Sequence, residues 1–549
     1  MAIESLITDH LALWTAAVRP KSSAGRGSNS KLELTGIKKL RELILELAVR
    51  GKLVPQDPSD EPASMLLERI ACEKARLVKE KKIKKPKALP EIDGEDKPFE
   101  LPEGWEWACI GYVGNIFNGN SVNAKVKEEK YTCITEGYPF IATKDVGYGF
   151  DKLDYENGVT IPFDEANFKV AHKNAVLICA EGGSAGKKCG ITDKDICFGN
   201  KLFAIELFSN FEPKLLLATY LTPTFFSNFS AAMTGIIGGI SVNKFSELLI
   251  PIPPLAEQHR IVAKVDELMA LCDQLELRSE SQLAAHQTLV ETLLTTLTDS
   301  ADADELSQNW ARLSSYFDTL FTTESSIDAL KQTILQLAVT GTLVSWGNNV
   351  REEKLKNCIS FGPRNGFSPK ETTEDTGVYV LKLGATSYGS LNLTEIKNID
   401  VAIEKESHLF IRKDDILIQR GNSANYVGSS CLVEGDVDGI IYPDLMMKIM
   451  VNHKVSAKYL SLWLSSPRSR RFMWDRMTGT SGTMPKISKK VVEEIPVMVP
   501  VMACQNDIVA KVDELMTLCE QLKASLQINQ QTQLALAESL VEGALEDSI

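Results

Sequence analysis

The pattern of apolar positions is clearest in a stretch that occurs twice. Residues 261–275 and 508–522 are identical at thirteen of fifteen positions, at an offset of 247. A match of this length indicates an internal duplication. In both copies apolar residues recur in steps of four and three, which is typical of a helix that packs against another helix. The positions that we predict to pair are Ile261, Val265, Leu268 and Leu275 in the first copy, and Ile508, Val512, Leu515 and Leu522 in the second.

The helical pattern continues well beyond the two matching stretches. It predicts one long helix from Glu257 to about Leu297 and another from about Gln505 to Glu546. About forty residues at 1.5 Å each give a rod of roughly 60 Å. The same heptad register places Leu289 and Leu536 at corresponding positions of the seam.

Shorter helices recur as well. Helical runs at 37–49 and 327–339 are each followed by a glycine, Gly51 and Gly341, placed as a C-terminal cap. The offset is 290 here, so the first half carries 43 more residues between the two shared blocks. An amphipathic helix is predicted over residues 1–19.

The pattern changes between the helices. Residues 100–250 and 350–500 alternate short β-type runs with Gly, Asn and Asp turns. The predicted strands include 175–180, 201–207, 378–383, 415–419 and 445–451. The predicted fold class is therefore α+β, with two mixed, strand-rich domains separated and joined by two long helices in an internal repeat.

These patterns divide the chain into six segments. They are an N-terminal helical region (1–60), a helix with a basic linker (61–99), a first strand-rich domain (100–254), a central region with a long helix (255–346), a second strand-rich domain (347–500) and a C-terminal long helix (501–549).

Composition narrows the class of protein. The chain has 549 residues, 44% of them hydrophobic and 24% charged, as in ordinary globular proteins of several domains. It lacks an apolar run of about 18 residues and an N-terminal signal pattern, so neither a membrane span nor secretion is expected. Eleven scattered cysteines without a C-x-x-C pair argue against disulfides and zinc, and favour a reducing cytoplasm.

Charge is unevenly distributed. The net charge of −13 argues against non-specific nucleic-acid binding by the whole chain. Residues 350–486 nevertheless carry a net +3, whereas residues 100–240 carry −5. Eight basic residues lie within fourteen positions before the first strand-rich domain: Lys74, Arg76, Lys79, Lys81, Lys82, Lys84, Lys85 and Lys87. This run is either a solvated linker or an arm that contacts phosphates or a partner.

A search for catalytic motifs finds none. The sequence lacks the Asx-Pro-Pro-aromatic loop of an amino-methyltransferase and the G-x-G-x-x-G of a dinucleotide site. The glycine-rich stretch 182–188 lacks two of the residues that define a P-loop. The six histidines show no metal-ligand spacing. We therefore predict no catalytic residue, metal site or cofactor site in this chain.

Two polar loops follow predicted buried strands at equivalent places, at 180–190 and 419–430. A third loop recurs at 234–241 and 478–488. Arginine suits guanine, and Asn or Gln suits adenine, so the loops are candidates for DNA contact, with plain hairpin turns as the alternative. The candidate DNA-binding residues are Lys144, Ser184, Lys187, Lys188, Lys201, Gln419, Arg420, Asn422, Ser423, Asn425, Tyr426, Arg470, Arg471 and Lys486.

Three motifs together resemble a specificity (S) subunit of a type I restriction-modification system. They are Leu-Pro-Glu-Gly-Trp-Glu-Trp at 101–107, Pro-Ile-Pro-Pro-Leu-Ala-Glu-Gln-His-Arg-Ile-Val at 251–262, and the duplicated Val-Asp-Glu-Leu-Met helix. The resemblance covers essentially the whole chain. The second copy departs from it at 500–505, where Pro-Val-Met-Ala-Cys-Gln replaces Pro-Pro-Leu-Ala-Glu-Gln.

The resemblance implies a non-catalytic, cytoplasmic DNA-recognition subunit. Two target-recognition domains would each read one half of a bipartite double-stranded DNA site. The long helices would pair as an antiparallel coiled coil, give an approximate two-fold repeat and dock two methyltransferase subunits. Those partners would use S-adenosylmethionine to methylate adenine N6, and a restriction subunit that uses ATP and Mg²⁺ is left open as a further partner.

Two other classes of function stay open at this point. One is a coiled-coil scaffold that organises a multisubunit complex without reading DNA. The other is a methyltransferase or nuclease in its own right, which the missing motifs disfavour.

Overall fold

The computed structural model describes residues 3–20, 32–132, 134–235, 238–387, 389–404, 406–479 and 484–546. The described residues form two compact units. The first unit comprises 3–20, 32–279 and 530–546, and the second comprises 280–529. Each unit therefore contains one strand-rich domain and a part of each long helix.

The first half of the chain alternates helices with short strands. Its helices are α1 (Ile3–Asp9), α2 (Leu11–Ala16), α3 (Thr35–Val49), α4 (Ala63–Lys79), α5 (Ile110–Val113), α6 (Ala124–Tyr131), α7 (Pro213–Tyr220), α8 (Pro223–Ala232), α9 (Val242–Ser246) and α10 (Leu255–Thr298). Its strands are β1 (Arg19–Pro20), β2 (Leu32–Glu33), β3 (Glu106–Cys109), β4 (Gly114–Asn118), β5 (Tyr138–Ile141), β6 (Thr160–Ile161), β7 (Val170–Ala171), β8 (Val176–Cys179), β9 (Cys189–Ile191), β10 (Ile196–Phe198), β11 (Leu202–Leu207) and β12 (Leu249–Ile252).

The second half repeats this plan. Its helices are α11 (Ala303–Ser314), α12 (Phe317–Leu320), α13 (Glu324–Thr340), α14 (Ala457–Ser465), α15 (Pro467–Trp474), α16 (Lys489–Glu493) and α17 (Met502–Glu546). Its strands are β13 (Arg351–Lys354), β14 (Ile359–Asn365), β15 (Tyr379–Leu381), β16 (Ile396–Asn398), β17 (Ile416–Gln419), β18 (Ser430–Leu432), β19 (Ile440–Ile441), β20 (Met446–Val451) and β21 (Pro496–Val499).

Both predicted long helices are present in the structure. Helix α10 has 44 residues and α17 has 45. The predicted pairing positions lie on their covered faces, because a seam of apolar side chains leaves water only by packing against a neighbour. Five of them are buried (Ile261, Val265, Leu268, Ile508 and Val512) and three are half-buried (Leu275, Leu515 and Leu522).

The long helices run antiparallel. In the first unit the segment after α3 contacts the start of α10 and the end of α17, because Gln56 Nε2 donates to Glu257 Oε1 at 2.7 Å and Lys52 Nζ donates to the carbonyl of Leu545 at 3.4 Å. In the second unit the end of α10 and the start of α17 share one core, which includes Val290 and Ile508. Each unit thus joins opposite ends of the two helices.

The predicted seam is wrong beyond the duplicated stretch. Leu289 and Leu536 are 50% and 53% exposed, whereas Val290, Leu294 and Ala537 are buried. An α-helix has 3.6 residues per turn, so a strict 3.5-residue register drifts by about 20° per heptad, and over several heptads the buried stripe moves to a neighbouring residue.

The shorter framework helices pack on the long ones in the same way in both units. Arg41 of α3 pairs with Asp273 of α10 at 2.7 Å, and Lys331 of α13 pairs with Glu520 of α17 at 2.7 Å. Arg41 and Lys331 are 290 residues apart, and Asp273 and Glu520 are 247 apart. The duplicated blocks therefore keep this contact although the segments between them differ in length.

Each strand-rich domain is built on two sheets. In the first domain they have the orders β4-β11-β8-β9 and β6-β5-β10-β7, and in the second β14-β20-β17-β18 and β16-β15-β19. The antiparallel pairs β3–β12 and β13–β21 join the entry and exit of each domain. All four residues of β8 and of β17 are buried, so the loops that follow these strands emerge at one end of each main sheet.

Candidate nucleic-acid interface

The loop after the central strand is tied to the hairpin before the closing strand in both domains. In the first domain the N–H of Ile240 donates to the carbonyl of Ala180 at 3.0 Å. In the second domain the N–H of Ile487 donates to the carbonyl of Arg420 at 2.9 Å. Ala180 and Arg420 therefore occupy the same position in two equivalent sites, and in each domain two of the predicted loops form one surface.

Each site loop closes through a glycine. The N–H of Gly186 donates to the carbonyl of Cys179, and the N–H of Gly428 donates to the carbonyl of Gln419, both at 2.8 Å. Both glycines have a positive φ, 70° and 78°, which costs other residues strain. The loop has six residues between its anchors in the first domain and eight in the second, so the second presents more side chains.

The hairpin beside each loop is held by a pair of backbone hydrogen bonds. They join Thr234 to Gly239 in the first domain and Thr478 to Lys486 in the second. The tips, residues 236–237 and 480–483, lie outside the described residues, and so do those parts of the predicted third loop.

Three of the predicted residues in the first domain surround its loop. The carbonyl of Ser184 accepts the N–H groups of Lys187 and Lys188 at 3.1 and 3.3 Å, so Ser184 shapes the turn. Lys187 is exposed, with its Nζ 5.7 Å from the ring centre of Phe226. Lys188 is half-buried, and its Nζ donates to the carbonyl of Thr143 at 3.1 Å. Lys187 is the side chain of this loop best placed to reach a ligand.

Lys144 and Lys201 extend the same positive surface. Lys144 follows Thr143 and is exposed. Lys201 is exposed, its carbonyl accepts the N–H of Ala180 at 2.8 Å, and its Nζ lies 3.9 Å from Glu181. The structure thus brings the four predicted lysines of the first domain to one end of its sheets.

Tyr148 belongs to this surface but was not predicted. Its side chain is 63% exposed, and Lys188 Nζ lies 5.1 Å from the centre of its ring. The sequence carried a signal, since Tyr148 lies between Gly147 and Gly149, where a large ring has no helix or strand to pack on.

In the second domain, Arg420 and Lys486 form the centre of the site. Arg420 is half-buried, and its Nε is buried with no hydrogen-bond partner among the described residues. Lys486 is exposed and pairs through its backbone with Gly421, the residue after Arg420. Arg420 and Lys486 therefore place two positively charged residues where the loop meets the hairpin.

Gln419 and Asn422 brace the loop instead of facing outward. Gln419 is fully buried, and its Nε2 donates to the carbonyl of Leu383 at 2.8 Å and to Thr386 Oγ1 at 2.9 Å. Its Oε1 accepts Asn422 Nδ2 at 2.6 Å. Because these amide groups are used inside the protein, we no longer assign Gln419 or the amide nitrogen of Asn422 to base contacts.

Arg470 has a similar internal role. It donates to Ser429 Oγ at 2.6 Å and to the carbonyl of Asn425 at 2.8 Å, and lies 5.1 Å over the ring of Trp474. Burial lowers the pKa of Arg470 to about 10, still well above neutral. We therefore interpret Arg470 as the residue that holds the far side of the loop.

The remaining predicted residues of this domain lie at the surface. Ser423 and Asn425 are exposed at the tip of the loop, and Tyr426 is half-buried behind them. Arg471 is exposed on α15. The outward-facing set is therefore smaller than predicted: Arg420, Ser423, Asn425, Arg471 and Lys486.

A buried ion pair lies inside the main sheet of the second domain, under the site loop. Lys448 Nζ lies 2.9 Å from Asp415 Oδ2, donates to the carbonyl of Phe410 at 2.9 Å, and both charged side chains are almost fully buried. The sequence signal was a lone lysine within the apolar strand β20. The pair joins β20 to the start of β17 and is too deep to contact DNA.

Two structural features that would indicate other functions are absent from the described residues. They contain no group of three or more His, Cys, Asp and Glu side chains placed to hold a metal ion. Within the same ranges, no helix is long and apolar enough to cross a membrane.

Comparisons with known proteins match both domains. A model described as the type I restriction modification DNA specificity domain matches residues 102–285 and 354–531. The chain is 38% identical over 602 aligned positions to the type I restriction enzyme EcoEI specificity subunit of Escherichia coli, covering 99% of this chain and 100% of the relative. It is also 38% identical to the EcoAI specificity subunit of Escherichia coli, with the same coverage. The chain belongs to the type I restriction-modification specificity family.

A solved structure agrees with this assignment at the level of the fold. A chain from a type I R-M system superposes with a TM-score of 0.53 at 16% identity, covering 82% of this chain and 99% of that one. Family membership confirms the resemblance given by the sequence motifs. This specificity subunit takes part in DNA target recognition, is itself non-catalytic and requires no cofactor of its own.

Proposed function

We propose that this specificity subunit reads a bipartite DNA target, one half-site with each recognition domain. The observation that carries the proposal is the repeated site: the same strand, loop and hairpin occur in both domains with different side chains. A repeated backbone with unlike side chains suits two readers of unlike sequences. Contacts to phosphates position such readers, and contacts to base edges specify the sequence.

The proposed contacts follow the exposure of each side chain. Arg420 is the candidate for bidentate recognition of guanine, with Asn425 and Ser423 beside it as donors and acceptors. Lys486 and Arg471 would hold phosphates of the second half-site. In the first domain Lys144, Lys187, Lys188 and Lys201 would hold the phosphates of the other half.

The long helices are proposed to set the spacing of the two half-sites. About 44 residues at 1.5 Å each make a rod of roughly 66 Å, longer than the ~34 Å of one DNA turn. Their exposed apolar residues, such as Leu277 at 71% and Ile528 at 64%, are suited to bind partner subunits.

We propose that two methyltransferase subunits dock there and methylate adenine N6 with S-adenosylmethionine. A restriction subunit that uses ATP and Mg²⁺ would be a further partner. All ten described cysteines are free thiols, which supports the proposal of a cytoplasmic location. Segments 100–254 and 347–500 are proposed as the two recognition domains.

Genome-wide mapping of N6-methyladenine tests this function. Cells that express the chain with its partner subunits are compared with cells that lack only this chain. We expect methylation at one split motif that depends on the chain. Methylation that persists without the chain, or a chain-dependent pattern with no sequence motif, would contradict the proposal and favour a scaffold.

A further inference from the structure

The basic run before the first domain is docked on that domain and does not extend freely. We call residues 74–87 the basic arm. At its start, Lys74 Nζ donates to the carbonyl of Gly111 at 2.6 Å and lies 5.6 Å from the ring centre of Tyr112. Just before it, Glu73 Oε2 accepts the N–H and Oγ of Ser209 at 2.7 and 2.9 Å. Helix α4 therefore delivers the arm to a fixed place.

The arm then follows the edge of the main sheet. Strand β4 is an edge strand, and a cavity of about 280 Å³ beside it is lined by Lys84, Lys85, Lys87, Asn115 and Asn243, among others. The lining mixes these basic and polar side chains with apolar ones such as Ile83, Leu89 and Phe208, and the lysines of the arm supply its positive charge. This arrangement suits a ligand with negative charge along its length more than an apolar one.

Several charges of the arm lack a counter-ion in the protein. Lys82 pairs with Glu80 at 2.9 Å, but Lys81, Lys84, Lys85 and Lys87 are exposed and form no ion pair among the described residues. Burial lowers the pKa of Lys169, and the positive charge of Lys84 lowers it further. Like charges are therefore concentrated here, and several of them are free to contact a polyanion.

The cavity of the arm lies beside the first residues of β4, and Lys84 lies near Lys169, which marks the other end of this strand, where the site loop emerges. Lys169 Nζ donates to the carbonyl of Asn118 at 2.7 Å, so the Lys169 ammonium group lies at the end of β4. Asn118 pairs with Phe203 of β11, and the neighbouring Leu202 pairs with Cys179, the last residue before the site loop. Strands β4 and β8 are two positions apart, or roughly 10 Å.

The arm places its positive charge beside an acidic domain. It carries a net +7, residues 88–99 carry −3 and residues 100–240 carry −5, so residues 74–240 together carry −1. The second domain has no counterpart of the arm, because β13 begins only eleven residues after α13 ends. The extra basic segment is found where the recognition domain itself is acidic.

We propose that the basic arm binds the DNA backbone next to the half-site read by the first domain. It would act through phosphates and would add affinity without sequence preference. This inference rests on the proposed reading of DNA by the two domains. It adds a segment outside the recognition domain to the lysines of that domain as a source of phosphate contacts for the first half-site.

The test uses the full chain assembled with its methyltransferase subunits. Binding is measured to a duplex that carries the mapped target and to a scrambled duplex, over salt from about 50 to 200 mM. The variant is Lys84→Gln with Lys85→Gln. The control is Lys173→Gln with Lys194→Gln, two exposed lysines of the same domain at the opposite end of β8. Thermal melts check that all variants fold.

We expect the arm variant to lower the salt slope of binding by about 2, with an equal fold-loss on both duplexes, and the control to leave the slope unchanged. An unchanged slope in the arm variant overturns the proposal. So does a loss of complex assembly without DNA, which would assign the arm to a protein partner. If the unaltered complex does not prefer the target over the scrambled duplex, the reading function itself fails.

Discussion

The site loop begins at Ala180 in the first recognition domain and at Arg420 in the second, at the same position of one hydrogen-bond scheme. The residue before it is Cys179 in one case and Gln419 in the other. Below the loop, Ala204 and Lys448 occupy the same rung of the sheet. The backbone is shared, whereas the side chains that fill it differ in size, charge and hydrogen-bonding capacity.

This difference is what the proposed reading of two unlike half-sites requires. The sheet, the closing glycine and the hairpin use backbone groups, so they tolerate new side chains. The second domain has a larger, more polar loop, and internal hydrogen bonds and an ion pair hold it in place. They are made by Gln419, Arg470 and the Asp415–Lys448 pair. The first domain, with a shorter loop, has small side chains at three of these positions (Cys179, Ala175 and Ala204) and Phe226 at the position of Arg470. It is preceded by the basic arm.

The largest effect is expected from breaking the buried ion pair. Lys448→Met leaves the Asp415 carboxylate buried without its partner, and should destabilise the second domain by about 3–5 kcal/mol. The double variant Asp415→Ala with Lys448→Met should lose clearly less stability. The first domain has alanines, Ala175 and Ala204, at the same two positions of its sheet and therefore needs no ion pair there. Denaturant unfolding measures both changes.

An exposed pair provides the control for this experiment. Lys454 lies 3.3 Å from Glu353 in the same domain, and Lys454→Met should cost less than about 1 kcal/mol. If the double variant is as unstable as Lys448→Met, the destabilisation comes from lost packing and not from an unpaired charge.

The next largest effect concerns DNA binding. Arg420→Ala gives the second site the residue that the first site has at this position. We expect a loss of about 1–3 kcal/mol in specific binding, with relaxed preference at one half-site. Lys187→Ala should instead weaken binding to all sequences alike and lower the salt slope by about 1.

Competition binding with duplexes altered in either half-site separates the two variants. An equal loss of preference at both half-sites after Arg420→Ala would show that the domains do not read independently. A loss of sequence preference after Lys187→Ala would show that this lysine reads bases.

A smaller effect is expected where the two helix entries differ. Trp105 Nε1 donates to Glu257 Oε2 at 2.9 Å, whereas Trp346 Nε1 is buried with no partner among the described residues. The position of Glu257 is occupied in the second copy by Cys504, whose Sγ lies 3.6 Å from the carbonyl of Ser345, the residue before Trp346. Cys504→Gln would offer the indole an acceptor and should stabilise the second unit by about 1 kcal/mol. Cys504→Met, which offers no strong acceptor, is the control, and an equal gain in both variants would contradict this account.

The smallest effect is a pH dependence of the first helix entry. Burial raises the pKa of Glu257, and hydrogen bonds from Trp105 and Gln56 oppose this only in part. Because the folded pKa lies above the unfolded one, the stabilising contribution is present below the unfolded pKa and is lost as the pH rises through the folded value. The free energy of unfolding of the unaltered chain, relative to Glu257→Gln, should therefore fall as the pH rises from the ordinary glutamate pKa of about 4.5 through the folded pKa. A difference that rises with pH would contradict the assignment.

The framework was largely predictable from the sequence, because it is held by periodic apolar positions. The two long helices, α3, α13 and the central strands lie within a few residues of their predicted bounds, and Gly341 ends α13 with a φ of 76°. The helix predicted over residues 1–19 is instead two short helices that meet at His10. The heptad pattern could not show that break or the later drift of the seam.

The site was predictable in place but not in detail. The sequence located both loops, since each follows a buried strand. It could not show that Gln419 faces inward or that Arg470 holds the loop, because polar residues look alike in a sequence whether they serve a ligand or a neighbour. Tertiary contacts decide between those roles.

The central claim is that each domain reads its own half of one bipartite target. The most direct measurement is a genome-wide map of N6-methyladenine in cells that carry the complex, with the unaltered chain and with Arg420→Ala. We predict a split motif in which the substitution relaxes one half and leaves the other half and the spacer unchanged. A continuous motif, or a change in both halves, would contradict the claim.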